Sequence, residues 1–145
     1  MYRIRKKFQF EAAHVLPSAY SEDCHKNIHG HSYTVEVFLK STGLNQDGMV
    51  LDFGFLKQWI NEVKDQWNHA LFLPSGRMKL GEGIRNQLPD QKILYMHQPT
   101  AEYMASALFC SLNVWLDRQT IITPCLVDRV RVHETATGWA EYSES

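Results

Sequence analysis

The sequence predicts an α+β fold with the element order strand, strand, helix, helix, strand, strand. Three observations carry this. Two N-terminal stretches alternate with the period of a strand, through Tyr2, Ile4, Phe8 and Phe10, then Tyr33, Val35, Val37 and Leu39. Two later stretches space their apolar residues as one helix face, at Phe55, Leu56, Trp59, Ile60, Val63 and Trp67 and again at Met104, Leu108, Leu112 and Trp115. Alternation then returns around Val130 and Val132 and in Trp139–Tyr142.

Taken in order, the first strand runs from about Tyr2 to Ala13, with Lys6 interrupting its pattern; Arg3, Arg5, Lys6 and Lys7 read as a solvated strand face. Val15 to Ile28 holds Pro17, Ser18, Ser21, Asp23 and Asn27 and reads as a loop. The second strand spans Ser32 to Lys40, Asn45 to Gly48 is a turn, and Met49 to Leu51 extends the sheet briefly. The first helix follows Asp52. Leu73 to Gln91, rich in Gly, Pro and charge, reads as a surface loop of a length that in a compact domain suggests a role. After the short apolar run Ile93–Met96, Thr100 is an expected N-cap for the second helix, Glu102 suits its first turn, and Cys110 is expected as an inert core thiol within it. Pro124 closes the connection, Leu126 to Thr135 is the third main strand, and Gly138 turns into the last. No repeat or linker divides residues 1–145, which read as one domain.

A formal net charge of -1 gives no support to nucleic-acid binding. No apolar run is long enough to span a membrane, and Met1 opens no signal-peptide pattern. Three scattered cysteines, Cys24, Cys110 and Cys125, make no disulfide framework, so a reducing cytoplasm is the expected compartment.

The chemistry gathers around histidines. His29 and His31 flank Gly30 at the start of the second strand, where residues two apart share a face. His14 ends the first strand. If the two strands pair, three imidazoles converge on one metal and leave a coordination position free, as in a catalytic zinc. Cys24, five positions before His29, has three readings: a base or nucleophile, a fourth zinc ligand, or an idle loop thiol. His69 closes the first helix, where a histidine also suits the helix C-terminus electrostatically. Glu134 continues a strand lined by Val130 and Val132; a carboxylate there is costly without a partner and invites a ligand with paired N–H donors.

These residues fall into a joint pattern: Phe10-Glu11-Ala12-Ala13-His14, Cys24 ahead of His29-Gly30-His31, Gly48-Met49-Val50-Leu51-Asp52-Phe53 with Leu56-Lys57, Asn68-His69, Pro99-Thr100-Ala101-Glu102 and His133-Glu134-Thr135. In this order, from the first strand to the last, they resemble the 6-pyruvoyltetrahydropterin synthase and 6-carboxytetrahydropterin synthase family. The resemblance implies a tunnelling fold, a four-stranded antiparallel sheet with two helices on one face, closing into barrels as trimers that stack as hexamers. It implies zinc at His14, His29 and His31 and 7,8-dihydroneopterin triphosphate as substrate. Glu134 would anchor the pterin ring, with Thr100 and Glu102 helping; Cys24 would be the base and His69 its proton partner.

Two departures from the family pattern stand out. Asn68 occupies the place of an aspartate that pairs with the histidine; an amide can orient an imidazole but cannot stabilise its cation. Four residues separate Cys24 from His29, between the three of the carboxy branch and the five of the pyruvoyl branch, which makes His25 the alternative base. The motif around His14 and the compact chain favour the carboxy branch, which leads to queuosine. The pyruvoyl synthase, a dihydroneopterin aldolase-like enzyme and a non-catalytic zinc- or pterin-binding protein are the alternatives. Lys26, Arg77, Lys79 and Arg85 are candidate triphosphate contacts, and spacing selects none of them.

Overall fold

The alternation of the two N-terminal stretches has a direct structural consequence. In a computed structural model of the chain, which describes residues 1–121 and 124–145 and leaves the side chain of His25, and so its alternative role as base, outside the described set, they form a long antiparallel ladder. β1 (Tyr2–His14) pairs with β2 (His29–Ser41) from Tyr2↔Ser41 to His14↔His29 without a slip. The pleat sends Phe8, Phe10 and Ala12 of β1 and Tyr33, Val35, Val37 and Leu39 of β2 to one buried face. The connection between the strands holds a one-turn helix, α1 (Glu22–Lys26).

Two helices cover this face. α2 (Phe53–Trp67) starts where Asp52 accepts a hydrogen bond from the Gly54 N–H, and it buries Leu56, Trp59, Ile60, Val63 and Trp67. The later helix, Ala101–Asp117 (α4 in chain order), is capped by Thr100, which accepts from the Tyr103 N–H, and it buries Met104, Leu108 and Leu112. Trp59 packs edge-on against Phe8 and donates through Nε1 to Ser111 Oγ at 3.0 Å, which ties the helices to the sheet and to each other.

The sheet is not the four-stranded antiparallel one expected. It has six strands in the order β4-β3-β1-β2-β5-β6 and is mixed. β3 (Ala70–Pro74) runs parallel to β1, with Ala12↔Ala70 to His14↔Phe72 in register, and β4 (Ile93–Met96) runs parallel to β3. β5 (Leu126–His133) is antiparallel to β2, and β6 (Trp139–Tyr142) antiparallel to β5. All five residues of β3 are buried, so it has no alternation to read; a parallel strand covered on both faces is a plain apolar run, and this one is short and ends in proline.

The expected long loop contains a 3₁₀ turn (Ser75–Arg77) and α3 (Met78–Gln87), the crossover that a parallel β3–β4 pair requires. α3 lies on the sheet face opposite α2 and α4, where its Ile84 joins Val15, Leu71, Leu73 and Ile93 in a second apolar cluster. Two glycines within α3 disguise it in the sequence. Other expectations shift as well: Met49–Leu51 forms no strand although Val50 and Leu51 are core residues, Cys110 is exposed on α4, and β5 ends at His133, one residue before Glu134.

Beyond α3, the outer face of β1, β2, β5 and β6 is charged and paired. Glu36 is only 6% exposed and meets Arg5 and His133, each at 2.8 Å. Burial alone would raise its carboxyl, but His133 and Arg5 outweigh that and hold it below the ordinary range.

Gly81 sets how closely α3 approaches the sheet, because a Cβ there would run into the Tyr95 hydroxyl. Gly81→Ala is therefore expected to destabilise the protein although alanine favours helix by about 1 kcal/mol. In a Tyr95→Ala background the same substitution should become stabilising. Urea midpoints of the four proteins check this; a stabilising Gly81→Ala with Tyr95 intact would contradict the packing.

Candidate metal centre and adjoining pocket

The β1–β2 register places His14 opposite His29 and Ala12 opposite His31, so all three imidazoles emerge on the helix-covered face at one end of the ladder. His14 Nε2 lies 2.9 Å from His29 Nε2 and 3.2 Å from His31 Nε2. Three Zn–N bonds of about 2.0–2.1 Å at tetrahedral angles place such nitrogens about 3.3 Å apart; the two separations from His14 fall a little short of that, and all three ligand atoms lie within 4.8 Å of one another. It is the metal-capable group that His14, His29 and His31 form among the described residues, and Cys24 does not join it.

Two of the remaining ring nitrogens are already committed. His14 Nδ1 donates to the Pro99 carbonyl at 2.7 Å and His29 Nδ1 to the Asn27 carbonyl at 3.1 Å. This fixes the tautomer that leaves each Nε2 lone pair free, as carbonyls behind metal-bound histidines do. His14 is fully buried; burial pushes its pKa down to about 4, with the Pro99 carbonyl opposing and His29 and His31 adding to the fall. His31 is lowered by burial too, against the pull of Glu134. Neutral imidazoles at neutral pH are the form that binds metal.

Of the other expected site residues, Glu134 meets this cluster directly and Thr100 is linked to it through its neighbour Pro99, whereas no hydrogen bond among the described residues joins Cys24, Glu102, Asn68 or His69 to the three imidazoles. Glu134, in the turn after β5, places Oε1 3.6 Å from His31 Nε2. Thr100 caps α4 directly after Pro99, whose carbonyl holds His14, and Glu102 is exposed in the first turn of that helix. Cys24 lies half-buried in α1. Asn27 links α1 to the centre, since its Nδ2 donates to the Asp23 carbonyl while its own carbonyl holds His29.

Asn68 is not turned to orient His69. Its Oδ1 accepts from the Glu11 N–H at 2.9 Å, and the His69 N–H donates to the Glu11 carbonyl at 2.6 Å. These bonds continue the β1–β3 pairing one step before Ala70. His69 takes a left-handed backbone, φ 65°, as the residue after the α2 C-cap. A cavity of about 590 Å³ opens on the outer side, lined by His31 and His69 together with Glu11, Ile84, Leu88 and Gln91. None of Lys26, Arg77, Lys79 and Arg85 lines it; Lys26 pairs with Glu22, and Arg85 reaches the Ile93 carbonyl. The part α3 plays in this cavity was invisible in the sequence, because the segment that supplies Ile84 read as loop.

Left-handed backbone suits glycine better than histidine. His69→Gly is accordingly expected to keep the stability of the protein or raise it by up to about 1 kcal/mol, in a denaturant titration. A clear loss would mean that the imidazole itself supports the fold.

A family model described as 6-pyruvoyl tetrahydropterin synthase matches residues 3–145. A protein of Helicobacter pylori named 6-carboxy-5,6,7,8-tetrahydropterin synthase is 32% identical over 142 residues, 95% of this chain and 70% of its own length. One of the same name from Rickettsia felis is 33% identical over 113 residues, 74% of this chain and 78% of its own. Among solved structures, an uncharacterized protein from Wolinella succinogenes superimposes with a TM-score of 0.79 at 20% identity, covering 99% of this chain and 98% of that one. The 6-pyruvoyl tetrahydropterin synthase of Caenorhabditis elegans gives 0.68 at 22% identity, covering 99% and 96%. At these identities the structural likenesses establish the fold.

Proposed function

The chain belongs to the 6-pyruvoyl tetrahydropterin synthase family, and we propose that within it the protein is a zinc-dependent 6-carboxy-5,6,7,8-tetrahydropterin synthase, a lyase acting on 7,8-dihydroneopterin triphosphate. The observation that carries the reading is the convergence of three Nε2 atoms at the helix-covered end of the β1–β2 ladder, with the Nδ1 of His14 and of His29 each held by a backbone carbonyl. The names of the relatives in Helicobacter pylori and Rickettsia felis support the carboxy branch.

Zinc held by His14, His29 and His31 would supply a Lewis acid for the side-chain hydroxyls of the substrate. Cys24 Sγ takes a carbon-bound proton, and the His69 imidazole is its proton partner. Triphosphate leaves as the side chain rearranges to two adjacent carbonyls; water then adds to the carbonyl next to the ring, and cleavage of the carbon–carbon bond leaves the carboxyl on the ring and releases acetaldehyde.

The two carboxylates divide the work differently from what the resemblance suggests. The N–H edge of a pterin and the carbon that bears its side chain lie at opposite ends of the bicyclic ring. Glu134, 3.6 Å from His31, stands at the reacting end. Glu102, with Thr100 at the N-terminus of α4, is then the group for the N–H edge, through paired charge-assisted hydrogen bonds.

The three cysteines are unpaired, in keeping with a reducing cytoplasm. The sheet ends in β4 and β6, and exposed edges of this kind favour closure between subunits into the trimers or hexamers of the family.

Mass spectrometry of products from 7,8-dihydroneopterin triphosphate and zinc-loaded protein should find the 6-carboxy product with acetaldehyde; a product keeping the whole side chain would place the enzyme in the pyruvoyl branch. His29→Ala and His31→Ala should each lose the metal, and full retention in both would remove the metal assignment.

Glu102→Gln should weaken a pterin without a side chain by about 2 kcal/mol in calorimetric titration. Glu134→Gln should leave that affinity alone and slow turnover by about a hundredfold. The opposite pattern would return the ring to Glu134.

A further inference from the structure

The last residues of the segment between β3 and β4 do something the proposed chemistry has not used. His69 is the one non-glycine among the described residues with positive φ. A non-glycine residue in that region is strained and persists where its surroundings over-determine it.

The surroundings here are explicit. On the β1 side, the His69 N–H donates to the Glu11 carbonyl, and Asn68 Oδ1 accepts from the Glu11 N–H. On the other side, Lys92 Nζ donates to the Asn68 carbonyl at 3.0 Å and to the Asp65 carbonyl at 2.6 Å. Gln91 Nε2 donates to the carbonyl of His69 itself at 3.1 Å. The peptide before His69 is thus held at both its carbonyl and its N–H, and the peptide after it at its carbonyl. A lysine at a helix C-terminus is ordinarily a cap that answers the helix dipole. This one works with its neighbour Gln91, which grips the next carbonyl along and also lines the pocket.

We infer that Lys92 and Gln91 are positioning residues that hold the left-handed His69 and so fix the direction in which its imidazole leaves the backbone. The inference rests on the reading of His69 as the proton carrier. It assigns the inserted segment a purpose: Ile84 of α3 and Leu88 at its C-cap line the pocket, and the residues that follow hold the backbone of His69.

The test compares Lys92→Met, Lys92→Arg, Gln91→Leu and His69→Ala in the zinc-loaded protein with 7,8-dihydroneopterin triphosphate. Amide exchange at residue 69 is followed in parallel by NMR. Lys92→Met and Gln91→Leu should each lower kcat by on the order of tenfold to a hundredfold with KM and metal content kept. They should also speed exchange of the His69 amide, and Lys92→Arg should restore most of both. A Lys92→Met protein with a lower melting temperature but unchanged kcat and unchanged His69 exchange has lost only a helix cap, and so overturns the inference, provided His69→Ala is inactive. Should Lys92→Met fail to fold, Gln91→Leu with unchanged kcat and exchange overturns it equally. An active His69→Ala instead overturns the reading of His69, and is recognised separately because it leaves the exchange result in the Lys92 and Gln91 variants standing.

Discussion

The register of the β1–β2 ladder is the constraint on which the site depends. Side chains of a strand alternate between faces, so a slip of one residue would send His14 to the face of Glu11 and leave His29 and His31 on the other. What forbids the slip is the core, not the histidines. Phe8 faces Val35, and Phe10 stacks on Tyr33 with ring centroids 4.9 Å apart; both pairs are buried under α2 and α4. Each such side chain contributes about 1.5–3 kcal/mol by leaving water, and a slipped ladder would replace them with Lys7, Gln9 and Glu11. The apolar part of the ladder therefore fixes, several residues away, where the imidazoles point.

Register alone would give three rings on one face with free choice of tautomer. The second level of organisation is the pair of carbonyls behind them. Asn27 lies just before β2 and Pro99 just before α4, so the histidines draw in both the connection that carries Cys24 and the cap that carries Thr100. The fold is thereby closed around the centre from two directions. Because His14 is buried and held neutral, gathering the rings costs less in charge repulsion than three exposed histidines would, and a metal then has no buried proton to displace from His14 near neutrality.

The central ladder, α2, α4 and the strands β5 and β6 were legible from the sequence because each shows one covered face and one open face. The same one-sided burial makes the spacing of His29 and His31 informative. β3 and β4 escaped because they are short and parallel, and β3 is covered on both faces. α3 escaped because Gly81, which reads as a helix breaker, is there to let Tyr95 approach. The pairing of His14 with the other two histidines followed once the strands were assumed to pair. The bonds around His69 did not follow from any pattern, since they join backbone groups to Lys92 and Gln91 across an insertion, and backbone partners leave no periodic trace.

Asn68 shows what that hidden scaffold changes. Where the family pattern has an aspartate, the natural expectation is a carboxylate that orients the neighbouring imidazole by direct contact. Here the side-chain oxygen at position 68 is bound to the backbone of Glu11, and the orientation of His69 comes from its own peptide groups. An aspartate could accept the same N–H, so the amide keeps the geometry and gives up only the charge. A protonated imidazole gains from a nearby anion, and an amide does not supply one. The carboxylate that lines the same pocket belongs to Glu11, where it accepts from Ser32 Oγ at 2.7 Å. Placement and charge, joined in one side chain in the family pattern, are therefore separated at position 68: the amide keeps the bond to the Glu11 backbone and carries no charge.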